Sequence, residues 1–144
     1  MMSLNLAYGC KKVSEGCQNC YIARYPWGYH AKRFGITPFE GKVGFFNVEN
    51  QIKKLESYPT DSVVFVNALG DTFAEFISDS VRDDWHKIFQ THPEYQFMLL
   101  TKRPGKTFAY YETRNVPENV WVGTTVEKRR YLPRIKTLLG IKPE

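Results

Sequence analysis

Ser62–Ala68 (SVVFVNA) is an almost unbroken β-branched and apolar run that gives way to the polar stretch Asn67-Ala68-Leu69-Gly70-Asp71. A run of this length without alternation predicts a strand buried on both faces, the pattern of a parallel sheet. Working outward, Val81, Trp85, Ile88 and Phe89 repeat at helical spacing, with Ser80 and Asp83 expected to cap the helix start. Tyr95–Leu100 (YQFMLL) reads as a second buried strand, Lys106–Tyr111 as a helix begun near Pro104, and Val120–Thr125 (VWVGTT) as a third strand. Tyr131, Leu132, Ile135, Leu138 and Leu139 mark a last helix, ended by Gly140. On the other side, Leu4–Tyr8 reads as the first strand and Lys42–Asn47 (KVGFFN) as the second, followed by a short helix whose face carries Val48, Ile52 and Leu55. Asn19 to Phe34 can hold a helix, broken near Pro26-Trp27-Gly28.

Strand–helix alternation predicts an α/β fold with a parallel sheet of about five βα units, too few to close an eight-stranded barrel. Ligands of such sheets bind at the carboxyl ends of the strands. Those ends carry Gly9-Cys10, then Asn67 and Asp71, then Thr101-Lys102-Arg103, then Thr125-Val126-Glu127, so Asn67, Asp71, Lys102, Arg103 and Glu127 are candidate binding residues. An arc of five strands leaves sheet edges and an apolar inner face open, so self-association, or a partner that completes the sheet, is expected.

Composition agrees with a globular chain. Of 144 residues, 42% are hydrophobic, 15% aromatic and 24% charged, enough apolar surface to exclude disorder as the main state. No apolar run approaches the ~18–20 residues of a membrane helix. The amino-terminal residues lack a charged region followed by an apolar core, so no secretory signal is expected and the cytoplasm is the expected compartment. A single α/β domain over residues 1–144 accounts for the length. The formal charge of +5 permits an anionic partner such as nucleic acid without requiring one.

All three cysteines fall in Cys10-x6-Cys17-x2-Cys20, within a loop over residues 9–21. Thiols crowded into one loop point to a metal or cluster site rather than a disulfide framework. Gly9 and Gly16 precede the first two and let the loop bend. Thiolates suit zinc or iron–sulfur clusters. Zinc would need a fourth ligand, for which His30 is the candidate; His86 and His92 read as surface or helix-end residues.

The run Asn5…Gly9-Cys10…Val13-Ser14-Glu15-Gly16-Cys17-Gln18-Asn19-Cys20-Tyr21, followed by Arg24, is similar to the signature of the phage-type three-cysteine radical S-adenosylmethionine (SAM)-like family. The likeness continues through Val64-Phe65-Val66-Asn67…Asp71-Thr72-Phe73, Leu100-Thr101-Lys102-Arg103-Pro104 and Asn119-Val120-Trp121-Val122-Gly123-Thr124-Thr125-Val126-Glu127. The family's Trp-Asn-Pro opening is Leu4-Asn5-Leu6 here. The resemblance implies a partial (β/α) barrel of radical SAM type, truncated relative to a family that continues with further strands. It implies a [4Fe–4S] cluster on Cys10, Cys17 and Cys20 with one iron open to SAM. Asn67, Asp71, Lys102, Arg103 and Glu127 would stand at the cofactor mouth. The implied reaction is reductive cleavage of SAM to start radical chemistry on an unknown substrate. The alternative is a non-catalytic zinc or iron–sulfur module, associated with nucleic acid through its basic surface.

Overall fold

A computed structural model describes residues 2–23 and 27–141. Arg24 and Pro26, quoted above, lie outside them. The chain opens with β1 (Met2–Leu4) and β2 (Ala7–Tyr8), then the cysteine loop with short 3-10 turns at Glu15–Cys17 and Tyr21–Ala23. There follow α1 (Trp27–Phe34), β3 (Gly44–Phe45), α2 (Val48–Glu56), β4 (Val63–Val66), α3 (Asp79–Thr91), β5 (Gln96–Thr101), α4 (Pro104–Tyr111), β6 (Val120–Thr124) and α5 (Pro133–Leu139).

The fold is mixed α/β. Its main sheet holds four parallel strands in the order β1-β4-β5-β6 and is not closed; β2 and β3 form a separate antiparallel pair. The expected second parallel strand is therefore corrected. Lys42–Asn47 contributes only Gly44 and Phe45, which pair with Ala7 and Tyr8 after the chain has already left the main sheet. The expected first strand divides for the same reason. Asn67 accepts the N–H groups of Leu6 (2.9 Å) and Ala7 (3.2 Å) on its side-chain oxygen, and the Leu6 carbonyl accepts from Phe46 N–H, so the ladder ends at Leu4.

Burial also corrects the two-faced reading of Ser62–Ala68. Val64 and Val66 are fully buried, but Val63 is exposed and Phe65 half-buried. The core is one-sided: Leu4, Val64, Val66, Phe97, Leu99 and Val120 meet Leu55 of α2, Trp85, Ile88 and Phe89 of α3, and Tyr110 and Tyr111 of α4. The opposite face presents Phe65, Met98 and Trp121 in register, with Leu100 nearby, and among the described residues carries no equivalent helix layer. An apolar run cannot distinguish one covered face from two, because both faces are apolar here. A second, small core of Tyr8, Ile22 and Phe46, with Phe34, Ile36, Phe39 and Leu69 against it, supports the cysteine loop.

Two helix starts follow local capping. Asn47 caps α2 by accepting from Asn50 N–H at 2.8 Å, and Ser78, rather than the expected Ser80, caps α3 by accepting from Val81 N–H. Pro104 occupies the first turn of α4, where its missing N–H costs nothing. Among the described residues no helix is long and apolar enough to cross a membrane.

Candidate functional site

The carboxyl ends of β1, β4, β5 and β6 meet the cysteine loop. Gly9 makes the turn out of β2 with φ +119°, and a Cβ there would collide with the Lys42 carbonyl, so only glycine fits. Gly9 N–H donates to Leu69 O at 3.0 Å, Cys10 N–H to Pro38 O at 2.7 Å, and Gly41 N–H to Cys10 O at 3.1 Å. These bonds hold Cys10 between the β4 exit and the segment before β3.

Cys10, Cys17 and Cys20 are free thiols that line one cavity of about 220 Å³. Its floor is the uncovered sheet face, Phe65 and Leu100, and its wall includes Asp71, Thr101, Lys102 and Arg103. Four of the five predicted binding residues, Asn67, Asp71, Lys102 and Arg103, thus stand with the thiols. Glu127 is behind the loop instead. Its carboxylate accepts from Ser14 Oγ (2.9 Å) and pairs with Arg134 (2.8 Å) and Lys102 (3.7 Å). A Cβ on Gly16 would run into this carboxyl group, so Gly16 is what lets the loop close over it.

Asp71 is the hub. It accepts from Phe73 N–H (3.0 Å), Thr101 Oγ (2.8 Å), Lys102 N–H (3.1 Å) and Arg103 Nη1 (2.9 Å), and it is buried. Arg103, buried as well, donates from Nε to Glu75 (3.1 Å) and from Nη2 to the Lys11 carbonyl (2.9 Å). Each of its three nitrogens is therefore held by protein. Burial opposes its charge, but Asp71, Cys10 and Glu75 outweigh it and keep the guanidinium protonated. Asn67 is similarly occupied: it sits at φ +58°, accepts from Leu6 and Ala7, and donates to Thr72 Oγ (2.9 Å). Lys102 lines the cavity, and its ammonium lies 3.7 Å from the Glu127 carboxylate.

The thiols differ. Burial pushes the Cys10 thiol up, with Arg103 only partly offsetting it. Burial acts the same way on Cys17, but hydrogen bonds from the Val13 and Ser14 backbone, the Ser14 hydroxyl and the Lys102 charge outweigh it, and its thiol is lowered. Three thiols around one cavity are soft donors of the kind that zinc and iron–sulfur clusters take. Among the described residues no three His, Cys, Asp or Glu side chains converge on a point where one metal ion could be held. His30, the expected fourth zinc ligand, sits among the rings of Tyr8, Tyr29 and Phe46 and is not part of the cavity wall.

Sequence reasoning missed four partners. Ser14, Thr101, Glu75 and Arg134 fix the positions of the charged groups that were anticipated. Glu15 was also missed; it clasps Lys128, Arg130 and Tyr131. Thr101, the polar residue that ends the apolar β5, was the available signal. His86, expected at the surface, is buried: Nε2 meets Tyr111 Oη and Nδ1 meets the Arg82 carbonyl, both at 2.7 Å.

The chain matches the family described as "Protein of unknown function (DUF5131)" over residues 2–144 and belongs to that family. No curated protein and no solved structure matches it.

Proposed function

We propose that this DUF5131 member is an iron–sulfur protein of radical SAM type, with the wall of a (β/α) barrel as its frame. The observation that carries this reading is that three free thiols and Lys102 line one cavity at the carboxyl end of a parallel sheet whose core helices α2, α3 and α4 pack on its other face. Cys10, Cys17 and Cys20 would hold a [4Fe–4S] group. In such a cluster each sulfur binds a different iron, so the thiols need not converge on one centre, as tetrahedral zinc requires. A bound cluster in its reduced state would supply the single electron for reductive cleavage of SAM, being itself oxidised by one electron.

The chain's own residues bind, orient and exclude water. Lys102 offers its ammonium to a carboxylate in the cavity. Asp71, through Arg103, fixes the Lys11 carbonyl and so the loop that bears Cys10. Phe65 and Leu100 form an apolar floor. Asn67 and Glu127 act as positioning residues, because their polar atoms are already bonded within the protein.

Anaerobic reconstitution with iron and sulfide tests the reading. Absorbance at about 400 nm that SAM perturbs is expected, as is loss of iron loading in Cys17→Ala. One tightly bound zinc without any SAM effect, or undiminished loading of Cys17→Ala, would overturn it.

A further inference from the structure

Charge in this molecule is sorted from one end of the sheet to the other. The segments that build or touch the cavity, residues 9–20, 38–42, 67–75, 101–103 and 125–134, carry nine Lys and Arg against five Asp and Glu, which is four of the chain's formal +5. At the opposite end, residues 57–62, 92–95 and 112–119 carry four acidic residues against Arg114 alone. The two ends are structurally distinct: Asp61 N–H bonds Glu94 O and Phe97 N–H bonds Asn119 O, tying the acidic segments together at the amino ends of the strands.

The five acids near the cavity are all engaged, Asp71 and Glu75 by Arg103, Glu127 by Arg134 and Lys102, Glu15 by Lys128 and Arg130, Glu40 by Lys42. Lys11 and Lys12 remain exposed beside the wall, Lys11 with its carbonyl on Arg103 and Lys12 with Nζ 4.9 Å from the Phe39 ring, and Arg129 is exposed on the turn that clasps Glu15 of the cysteine loop. A low-dielectric cleft rimmed by one sign of charge focuses its field outward and draws in anions. Beside these charges lies Tyr21, part of the cavity wall and 53% exposed. A basic rim with an exposed aromatic at its edge is the combination that holds phosphates and stacks an unpaired base.

We propose that the cavity mouth binds single-stranded nucleic acid, with Lys11, Lys12 and Arg129 on the phosphates and a base stacked on Tyr21. The inference rests on the reading above only in taking this cavity as the working site, and names the substrate class that site would take. An acidic polypeptide would satisfy the charge but not use the aromatic edge.

The test is fluorescence anisotropy with labelled single-stranded RNA and DNA of about 12 nucleotides. Salt is varied from roughly 50 to 300 mM. Binding that weakens steeply with salt is expected, and Lys11→Ala/Lys12→Ala/Arg129→Ala lowers the log–log salt slope by up to ~2. Tyr21→Ala weakens binding about 5- to 150-fold, while Tyr21→Phe, which keeps the ring, restores it. Lys53→Ala/Lys54→Ala/Lys87→Ala removes equal charge elsewhere and leaves binding unchanged. No binding at low salt, no response to the Lys11/Lys12/Arg129 or Tyr21→Ala changes, or equal binding of polyglutamate or duplex DNA would overturn the proposal. Iron content is measured on the same samples. A chain that binds the oligonucleotide through these residues but takes no iron refutes the iron–sulfur reading alone; one that loads iron but ignores the oligonucleotide refutes this inference alone.

Discussion

Replacing Asp71 by Asn removes one negative charge from the centre of the site and keeps its shape. The carboxylate accepts four donor groups, and one of its oxygens faces both Lys102 N–H and Arg103 Nη1. An amide nitrogen placed there meets donors, and the opposite placement meets Phe73 N–H instead. Arg103 loses its buried partner and retains Glu75, whose side chain is half-exposed. Breaking a buried ion pair costs ~3–5 kcal/mol, and the surviving Glu75 contact puts this case near the lower end, about 3 kcal/mol. A domain of 144 residues has roughly 7–20 kcal/mol in total, so the variant still folds. With an m-value of ~2 kcal/mol/M in urea, the midpoint falls by about 1.5 M. Tm falls by roughly 6–12 °C. Urea titration followed by tryptophan fluorescence reads the change. Glu75→Gln is the internal comparison: it removes the exposed partner and costs under about 1 kcal/mol. A loss below about 1 kcal/mol for Asp71→Asn, or an equal loss for Glu75→Gln, refutes the assignment of Asp71 as hub.

Two further outcomes are expected. Gly16→Ala drives a methyl group into the Glu127 carboxyl and separates the cysteine loop from the β6 exit. It should cost about 1–3 kcal/mol and increase proteolysis within residues 11–19, and an unchanged cleavage pattern would sink the argument. Burial holds His86 neutral, its pKa below the ordinary value of 6.5, with the Arg82 carbonyl and Asp83 pulling the other way and Arg114 and Arg82 adding to the depression. Tyr110 and Tyr111 face the same ring and stay protonated, their pKa values raised chiefly by burial. The unfolded chain therefore binds a proton first, so stability is full above about pH 6.5 and declines below it by at most ~1.4 kcal/mol per pH unit. His30, depressed mainly by burial, adds the same sign. Thermal melts of His86→Gln between about pH 5 and 8 should show a shallower slope than the parent, and identical slopes would refute this.

Much of the helical pattern was legible because its causes are local. Val48, Ile52 and Leu55 repeat on one face, and Pro104 could only stand in a first turn. The cysteine triplet and the polar strand ends were legible too, since loop glycines and strand-terminal charges are visible in one dimension. What escaped was set by contacts across the chain. The division of Leu4–Tyr8 depends on one amide oxygen sixty residues away, on Asn67. The seat of Glu127 depends on the absence of a side chain at Gly16, and the burial of His86 on Tyr111. No periodicity encodes these. The uncovered face of β4 was hidden for another reason: Phe65 is as apolar as Val64, and only the location of the helices separates them.

The clasp between the cysteine loop and the β6 exit also has a consequence in time. Ser14 and Glu127 are 113 residues apart, Glu15 and Tyr131 are 116 apart, and Arg103 reaches back 92 residues to Lys11. Contacts at such separation form late, because closing a long loop must precede any gain from it. Cys10, Cys17 and Cys20 are therefore synthesised well before the segment through Arg134 that clasps their loop. Until that segment follows, the loop lacks its Glu127 and Tyr131 contacts, and a group bound to the thiols would be held by the cysteines without that clasp.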